Sequence, residues 1–516
     1  MMWLWLACTS PEGPSPLVDS GTAPELAPLL EAPRLLRRVS LDLRGTLPSV
    51  EDLDAVEQDP SLVLDYSAEY MADPRFEERL VELLAERWWT RVDTFDITPN
   101  DYGLDPIDNF VFAQSIGEEP LRLMANVIAE DMPWTTAVSA DWTRANPLLG
   151  SMWPLDRDEG EGWQTARYTD GRPAAGVLAT NGLWWRYTTT DSNMNRSRAA
   201  AISRLLLCAD YLGRPISFSE NQEVVEVEDA VRNDPYCLAC HATIDPLAAN
   251  LFGFWWLTLY SRVEEESYHA ERESLAQDYL GVDPGYFGTP ISGLEELGWA
   301  MSEDPRFYSC AVESSAELLW RRPVVMEDRP GLEAMRQEFV GQGAHMQPLY
   351  QDLIASPEYQ VAPSETVLVR MLSPSQLESV LVQLTDFEWT QEGYAQLQND
   401  KKGYRVLAGG VDGYAVTQAQ TLPGLTWALV AERSAQTAAS SAVAGGGILG
   451  QELGSVSSPR DWIATLIWQL NAERASDSEL DALEQAYEEL AQSQGEAAAQ
   501  ELILSVLLRD PRFLSY

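Results

Sequence analysis

The amino-acid sequence predicts a mainly α protein made of several helical domains. Apolar residues recur at helical spacing through much of the chain, as in Leu80, Leu83, Leu84 and Trp88. Strand signals, such as runs that alternate apolar and polar residues, are few. The 516 residues also exceed the roughly 250–300 residues that one hydrophobic core usually spans, so we expect more than one domain.

Turn residues and shifts in composition divide the chain into parts. The predicted parts are a leader and tether at 1–28, an N-terminal helical domain at 29–150, a middle domain at 176–330 and a C-terminal helical domain at 363–516. The first domain opens with a helix from Pro33 that Gly45 ends. Ser49 and Asp52 then have the spacing of a capping box, which predicts a second helix.

Other stretches carry weaker local signals. We expect a turn-rich stretch at 98–117 followed by a helix near 121–128, a polar acidic loop at 154–175, a helix from Arg196 to Leu212, and a loop or weak helix at 434–447. Near the C-terminus, Ser476 and Glu479 predict another capped helix.

One joint is predicted at four places: an apolar helix, followed by Asp or Ser, then Pro, then any residue, then an aromatic residue. It occurs at 73–76, 304–307, 356–359 and 510–513. Asp and Ser side chains accept hydrogen bonds from the free N–H groups at a helix start, and Pro at the first helical position loses no hydrogen bond. We therefore predict a helix start at each joint, with the aromatic ring packed on the preceding helix.

The charge balance is strongly acidic, with 35 basic and 80 acidic residues and a formal net charge of −45. Such a surface repels phosphate backbones and anionic lipid headgroups, which argues against nucleic-acid binding. It either steers basic redox partners or serves solubility alone. The sequence has no run of about 18 apolar residues, so no transmembrane helix is predicted.

The N-terminus resembles the end of a lipoprotein signal. Residues 1–7 are apolar, Cys8 follows a small residue, and a tether with Pro, Ser and Gly follows at 9–16. Trp5 stands where such signals usually carry Leu, the apolar stretch is short, and no basic segment precedes it. We expect Cys8 to carry a lipid, the only membrane contact, with the true start upstream; a plain disordered tail is the alternative.

The strongest chemical motif is Cys-Leu-Ala-Cys-His at 237–241. On a helix, Cys237, Cys240 and His241 share one face, so two thiols can bond the vinyl groups of one haem while the imidazole binds its iron. With three His in the chain, this sequence rarely arises by chance. We predict a covalent haem c and a cytochrome c-like segment in the middle domain. A small disulfide or thiol redox pair and half of a zinc site are the alternatives.

A second axial ligand to the iron is less well marked. Met301 lies sixty residues after His241, a separation common in small cytochromes, and is the predicted distal ligand. Met194, Met326 and His269 are alternatives, and each of these residues also fits an ordinary core or surface position. An open sixth position would indicate small-molecule chemistry instead of electron relay.

The remaining cysteines and the tryptophans allow more than one interpretation. Cys208 and Cys310 are an even pair that forms either a disulfide in an oxidising compartment or two buried free thiols. Two tryptophan pairs flank the haem motif in sequence, and they either line a haem pocket, stack on sugars or pack in the core. These four residues are Trp184, Trp185, Trp255 and Trp256.

The text around the motif resembles the planctomycete-type surface cytochrome families. Residues 237–247 (CLACHATIDPL) and 252–254 (FGF) are similar to their CxxCH…(I/L)DPL…F segment. Weaker similarities are a GVL…R…LLC stretch across 175–208, a C…GR helix across 307–323, and an RR…LDLTGLPPT module across 37–49. The sequence departs from the families at 192–195, where they have Ser-Pro, and at Arg321-Arg322, where they have Gly-Arg.

This resemblance implies covalent haem, export, a lipid or surface anchor, and a link to the breakdown of complex polymers. We therefore expect an exported, lipid-anchored monohaem protein that transfers electrons at the cell surface or in the periplasm. Its expected partners are an unidentified redox protein and polysaccharide-related surface proteins. A surface scaffold or glycan-binding lipoprotein and a haem peroxidase-like enzyme are the alternatives. Three His support no Ser/His/Asp triad, so an electron carrier or binding protein fits better than a catalyst.

Overall fold

The computed structural model describes residues 28–104, 107–213, 231, 233–255, 267–363, 369–420, 422–453 and 458–516. Within them helices predominate and strands are short, which confirms the prediction of a mainly α protein. Cys8, Trp256 and the predicted leader up to residue 27 lie outside the described residues.

The described helices fall into two series along the chain. The first series is α1 (Ala32–Arg44), α2 (Val50–Gln58), α3 (Leu62–Met71), α4 (Arg75–Trp88), α5 (Asn109–Ala129), α6 (Thr136–Ser139), α7 (Pro147–Met152), α8 (Asn181–Arg186), α9 (Arg196–Leu207), α10 (Pro235–Ala249), α11 (Leu275–Leu280), α12 (Leu294–Ser302), α13 (Pro305–Trp320), α14 (Arg329–Gly341), α15 (Met346–Ala355) and α16 (Pro357–Gln360). The second is α17 (Pro374–Thr385), α18 (Leu425–Val443), α19 (Gly447–Leu453), α20 (Pro459–Asn471), α21 (Asp477–Gln494), α22 (Glu496–Leu507) and α23 (Pro511–Leu514).

The described strands form one small sheet and two minimal hairpins. The sheet is antiparallel with β3 (Gln164–Tyr168) between β1 (Thr143–Ala145) and β2 (Leu155–Arg157). The hairpins pair β4 (Gly285–Tyr286) with β5 (Thr289–Pro290), and β6 (Thr390–Gln391) with β7 (Tyr394–Ala395).

Buried apolar side chains form two clusters. The first extends from Leu35 to Tyr359 and takes in two side chains of the second helix series; the second holds two side chains from the N-terminal region and those between Met371 and Tyr516. The predicted N-terminal and middle domains thus contribute to one cluster, while their boundaries stay a prediction. Helix α1 contributes to both clusters, because Leu41 faces the second and its other buried apolar residues face the first.

A buried polar network joins the two helix series at α1. The Asp42 carboxylate is 1% exposed and accepts hydrogen bonds from the hydroxyls of Tyr359 (3.0 Å) and Tyr516 (2.7 Å). Arg370 donates to the same carboxylate at 3.3 Å. Three donors satisfy the buried charge, so the network holds α1 against the C-terminus of the chain.

The helix starts follow the predicted capping chemistry. Ser49 and Asp52 form the capping box, and Gly45 ends α1 in a left-handed conformation. At all four joints the Asp or Ser side chain accepts from a backbone N–H two or three residues later. The four aromatic rings are buried, although Phe76 and Phe307 contact Tyr350 and Trp134, outside the preceding helix.

Two local predictions in the first half are wrong. The stretch 98–117 is helical from Asn109, because Asp108 accepts from the N–H of Phe110 (2.7 Å) and α5 then continues through Pro120. The predicted loop at 154–175 instead contains β2 and β3, whose pairing with β1 buries Ala166.

One predicted helix limit also needs correction, and one open choice, between a loop and a weak helix at 434–447, is decided for the helix. Helix α9 ends at Leu207 instead of Leu212, because Cys208 adopts a left-handed conformation (φ 49°) and forms a disulfide with Cys310. The stretch 434–447 is helical up to Val443, since its small residues face the second cluster.

Candidate functional site

The CxxCH segment lies on the first two turns of α10. Asp234 accepts a hydrogen bond from the N–H of Tyr236 (2.8 Å) and Pro235 occupies the first helical position, so these two residues start the helix just before the motif. The second half of α10 is anchored in the first cluster by Ile244 and Leu247, and the first half faces outward. The packed second half of α10 therefore fixes the position of its first two turns, which lie at the surface.

Both motif cysteines carry free thiols and are half-buried. Burial, the nearby Asp234 carboxylate and Cys240 raise the pKa of the Cys237 thiol. A reactive thiol redox pair needs the opposite shift, toward the thiolate. Free, partly exposed sulfur atoms one helical turn apart are instead what two thioether bonds require.

His241 lies four residues after Cys237 and its side chain is 24% exposed. Its Nδ1 atom is 2.9 Å from Oδ1 of Asp245, one turn further along α10. Arg196 grips the same carboxylate with two hydrogen bonds, from Nε to Oδ1 (2.7 Å) and from Nη2 to Oδ2 (2.9 Å). Burial raises the pKa of Asp245, but the hydrogen bonds from His241 and Arg196 outweigh it and hold this pKa below its ordinary value.

Helix α9 brings Arg196 to this carboxylate. Arg196 is its first residue, and the preceding Asn195 donates to the backbone oxygen of Leu251 (3.0 Å), just past α10. The hydroxyls of Tyr211 and Thr243 are hydrogen-bonded at 2.9 Å. These three hydrogen-bonded contacts join the segment that contains α9 to the segment that contains α10, and they fix the Arg196 guanidinium relative to α10.

The structure joins Cys208 and Cys310 in a disulfide, so of the two alternatives for this pair it takes the bonded one. The Cα atoms lie 5.2 Å apart, and the bond ties the end of α9 to α13. The guanidinium of Arg87 lies 3.0 Å from the sulfur of Cys208.

The candidate distal ligands occupy different environments. Met301 on α12 is fully buried in the first cluster and Met194 is half-buried. Met326 is 80% exposed, and the Nδ1 atom of His269 lies 3.4 Å from a carboxylate oxygen of Glu271. Met301 as distal ligand stays a prediction.

The tryptophans near the motif pack in the core. Trp184, Trp185 and Trp255 are at most 3% exposed and belong to the first cluster. Trp184 stacks at a tilt on Phe254 with centroids 5.8 Å apart. Of the three interpretations, core packing applies to these three residues.

The residues on α10 fit a covalently bound haem. The first two turns of α10 expose apolar side chains, with Tyr236 53% exposed and Leu238 36% exposed. The face of a bound porphyrin would cover this exposed apolar surface. The two thiols are unbonded, and the Nε2 atom of His241 has no hydrogen-bond partner among the described residues. Two thioethers and one imidazole ligand are the protein's share of such a site.

Sequence reasoning missed the two residues that hold the imidazole. Asp245 has a sequence signal, since a carboxylate four residues after a His on a helix lies on the same face. Arg196 is 49 residues away from Asp245, and no local pattern connects them.

Comparison with protein-family models, with curated proteins and with solved structures gave no match for this chain. None of the helices in the described parts of the chain combines the length and apolar character needed to cross a membrane. Across the same parts, no three His, Cys, Asp or Glu side chains are grouped to hold a metal ion. Haem brings its own four equatorial nitrogen ligands, so its iron requires only axial ligands from the chain.

Proposed function

We propose that this chain is an exported, lipid-anchored monohaem c-type cytochrome-like protein that transfers electrons at the cell surface or in the periplasm. The observation that carries the proposal is the face of α10, on which the free thiols of Cys237 and Cys240 stand beside His241. We also propose that it belongs with the planctomycete-type surface cytochrome families, on the residues quoted above.

Each motif residue has one task in this proposal. Cys237 and Cys240 hold the cofactor covalently, so the protein cannot lose it by dissociation, and His241 supplies the proximal nitrogen. Bound haem provides a one-electron iron couple. Met301 is the proposed distal ligand, and a thioether there would raise the reduction potential.

Two further features support export and electron relay. A disulfide such as Cys208–Cys310 persists in oxidising compartments and is rare in the cytosol. The net charge of −45 attracts a basic partner over long range, which speeds encounter at low ionic strength. Lipidation at Cys8 is the proposed anchor, with polysaccharide-related surface proteins as candidate neighbours.

Expression of the full chain with a cytochrome c maturation system tests the proposal. The purified protein should show a sharp Soret band, and the haem should stay with the polypeptide through acid-acetone extraction. The Cys237→Ser/Cys240→Ser double variant should lose the covalent haem because both thioether sites are gone.

A matched pair of cysteines in the same chain provides the control. The Cys208→Ser/Cys310→Ser variant also removes two sulfurs but lies outside the motif, so it should keep its covalent haem. Colourless wild-type protein from a working maturation system, or two titratable thiols at Cys237 and Cys240, would end the proposal.

The contact between His241 and Asp245 favours a second candidate, a haem peroxidase-like enzyme. A carboxylate behind the proximal imidazole makes that ligand a stronger electron donor than a backbone carbonyl does. A high-spin spectrum with an open sixth position and cyanide binding would support the enzyme. A six-coordinate low-spin spectrum in both redox states would support electron relay instead.

The glycan-binding alternative has less support. Sugar-stacking surfaces need exposed aromatic rings, and the three described tryptophans of the two sequence pairs are buried. Glycan-array binding that is unchanged in Cys237→Ser would reverse this ranking.

A further inference from the structure

The Asp245 carboxylate is a buried charge between two cationic or donor side chains. Its side chain is 6% exposed, and both Arg196 and His241 contact its Oδ1 atom. The bidentate contact with Arg196 holds the carboxylate as an anion in a fixed plane.

An ionised carboxylate can only accept hydrogen bonds. The 2.9 Å contact between Oδ1 of Asp245 and Nδ1 of His241 therefore places the imidazole proton on Nδ1. The lone pair is then on Nε2, the nitrogen on the far side of the ring. This is the tautomer that an axial iron ligand needs, and it is set before any cofactor arrives.

A charged acceptor also changes the ligand's strength. Partial transfer of the Nδ1 proton toward a carboxylate raises the electron density on Nε2, whereas a neutral acceptor does so less. A more basic imidazole binds the ferric ion more tightly than the ferrous ion, because the ferric ion carries the additional positive charge.

We infer that Asp245 and Arg196 are positioning residues that set the reduction potential of the proximal site, Asp245 lowering it and Arg196 limiting that effect. Arg196 donates through Nε to Oδ1, the same oxygen that faces the imidazole, and so reduces the negative charge available to His241. Replacing Asp245 alone should therefore raise the reduction potential, and replacing Arg196 alone should lower it. This inference rests on the proposed function, since it requires iron on His241.

Redox titration of the matured full chain tests the inference. At a fixed applied potential, Asp245→Asn should raise the ferrous-to-ferric ratio at least tenfold. For a one-electron couple this corresponds to a rise of about 59 mV in the reduction potential. Arg196→Gln should lower that ratio relative to wild type.

Asp510→Asn is the matched control. Like Asp245, Asp510 accepts hydrogen bonds from Nε and Nη2 of an arginine, here Arg512, but it caps α23 in the C-terminal helix series. Removing its charge should leave the potential unchanged. An equal shift in this control would show that overall charge is responsible, and would overturn the inference.

The two proposals fail in different ways. Wild-type protein without covalent haem overturns the proposed function. Wild-type protein with covalent haem, together with an unchanged potential in Asp245→Asn, overturns only the role of Asp245. If Asp245→Asn does not mature, Arg196→Gln decides, because an unchanged or raised potential in that variant contradicts the inference.

Discussion

Glu119 lies in the middle of α5, where its carboxylate is fully buried. It accepts hydrogen bonds from the hydroxyls of Thr143 (3.0 Å) and Tyr168 (2.7 Å) and from the N–H of Gly182 (2.8 Å). Burial nevertheless dominates and raises the pKa of Glu119 from 4.5 to about 7. The folded protein therefore holds a proton there at pH values where the unfolded chain has released it.

The sign of the stability change follows from this difference in proton binding. Between pH 4.5 and 7 the folded state binds more protons at Glu119 than the unfolded state does, so the free energy of unfolding falls as pH rises. From pH 5 to pH 8 this one group should remove about 2–3 kcal/mol of stability. Below the unfolded pKa its contribution is fully present, and above about pH 7 it is fully lost.

Glu119→Gln isolates that contribution. A glutamine resembles the protonated acid, since its oxygen can accept from Gly182 while its amide donates to the hydroxyls of Tyr168 or Thr143. Being neutral, it has no such pH dependence. The stability of Glu119→Gln relative to wild type should rise by about 2–3 kcal/mol between pH 5 and pH 8.

Urea unfolding at pH 5, 6, 7 and 8 measures this difference, and subtracting the two proteins removes the titration of all other groups. Glu333→Gln is the control, because this exposed carboxylate has a pKa lowered to about 2 by its hydrogen bonds with Arg336 and Gln337. Its difference from wild type should be flat over the same range. A flat difference for Glu119→Gln as well would refute the reasoning.

Three further predictions concern stability and are read from urea midpoints. Asp42→Asn leaves Arg370 buried without its counter-charge and should cost about 3–5 kcal/mol; a loss below about 1 kcal/mol, the usual value of a surface pair, would contradict this. Reducing the Cys208–Cys310 disulfide should cost about 2–4 kcal/mol, and an unchanged midpoint in dithiothreitol would oppose it. Gly182→Ala places a Cβ 2.1 Å from the oxygen of Ile116 and should cost about 1–3 kcal/mol, whereas Gly331→Ala, with nothing within 4 Å, should not destabilise.

Helix starts were predictable because their chemistry is local. A cap requires only Asp or Ser, a following Pro and free N–H groups, all within four residues, and Asp304 and Asp510 cap as expected. The errors arose where distant packing overrode local signals. The turn signals at 98–117 predict a helix start near residue 121, yet α5 begins at Asn109 and continues through Pro120, because the surrounding turns are buried on all sides.

The candidate site divides in the same way. The spacing of Cys237, Cys240 and His241 follows from helix periodicity, and the cap at Asp234 follows from local sequence. The grip of Arg196 on Asp245 depends on how α9 and α10 pack, and the pairing of Cys208 with Cys310 spans 102 residues. Contacts of this kind have no local sequence signal. The sequence therefore predicted His241 as a candidate ligand but not the roles of Asp245 and Arg196 in holding its imidazole.

Helix α9 connects these long-range features into one structural unit. At its first residue, Arg196 holds the carboxylate behind His241; just after its last residue, Cys208 is bonded to α13. The twelve residues of α9 span about 18 Å. Because α9 is held at both ends, the packing of its C-terminal end also fixes the position of Arg196 in its first turn. The orientation of the imidazole therefore depends on the packing of α9 as well as on α10. The disulfide therefore affects the site through stability and not through direct contact, so its removal should lower the urea midpoint and leave the proposed covalent attachment of haem unchanged.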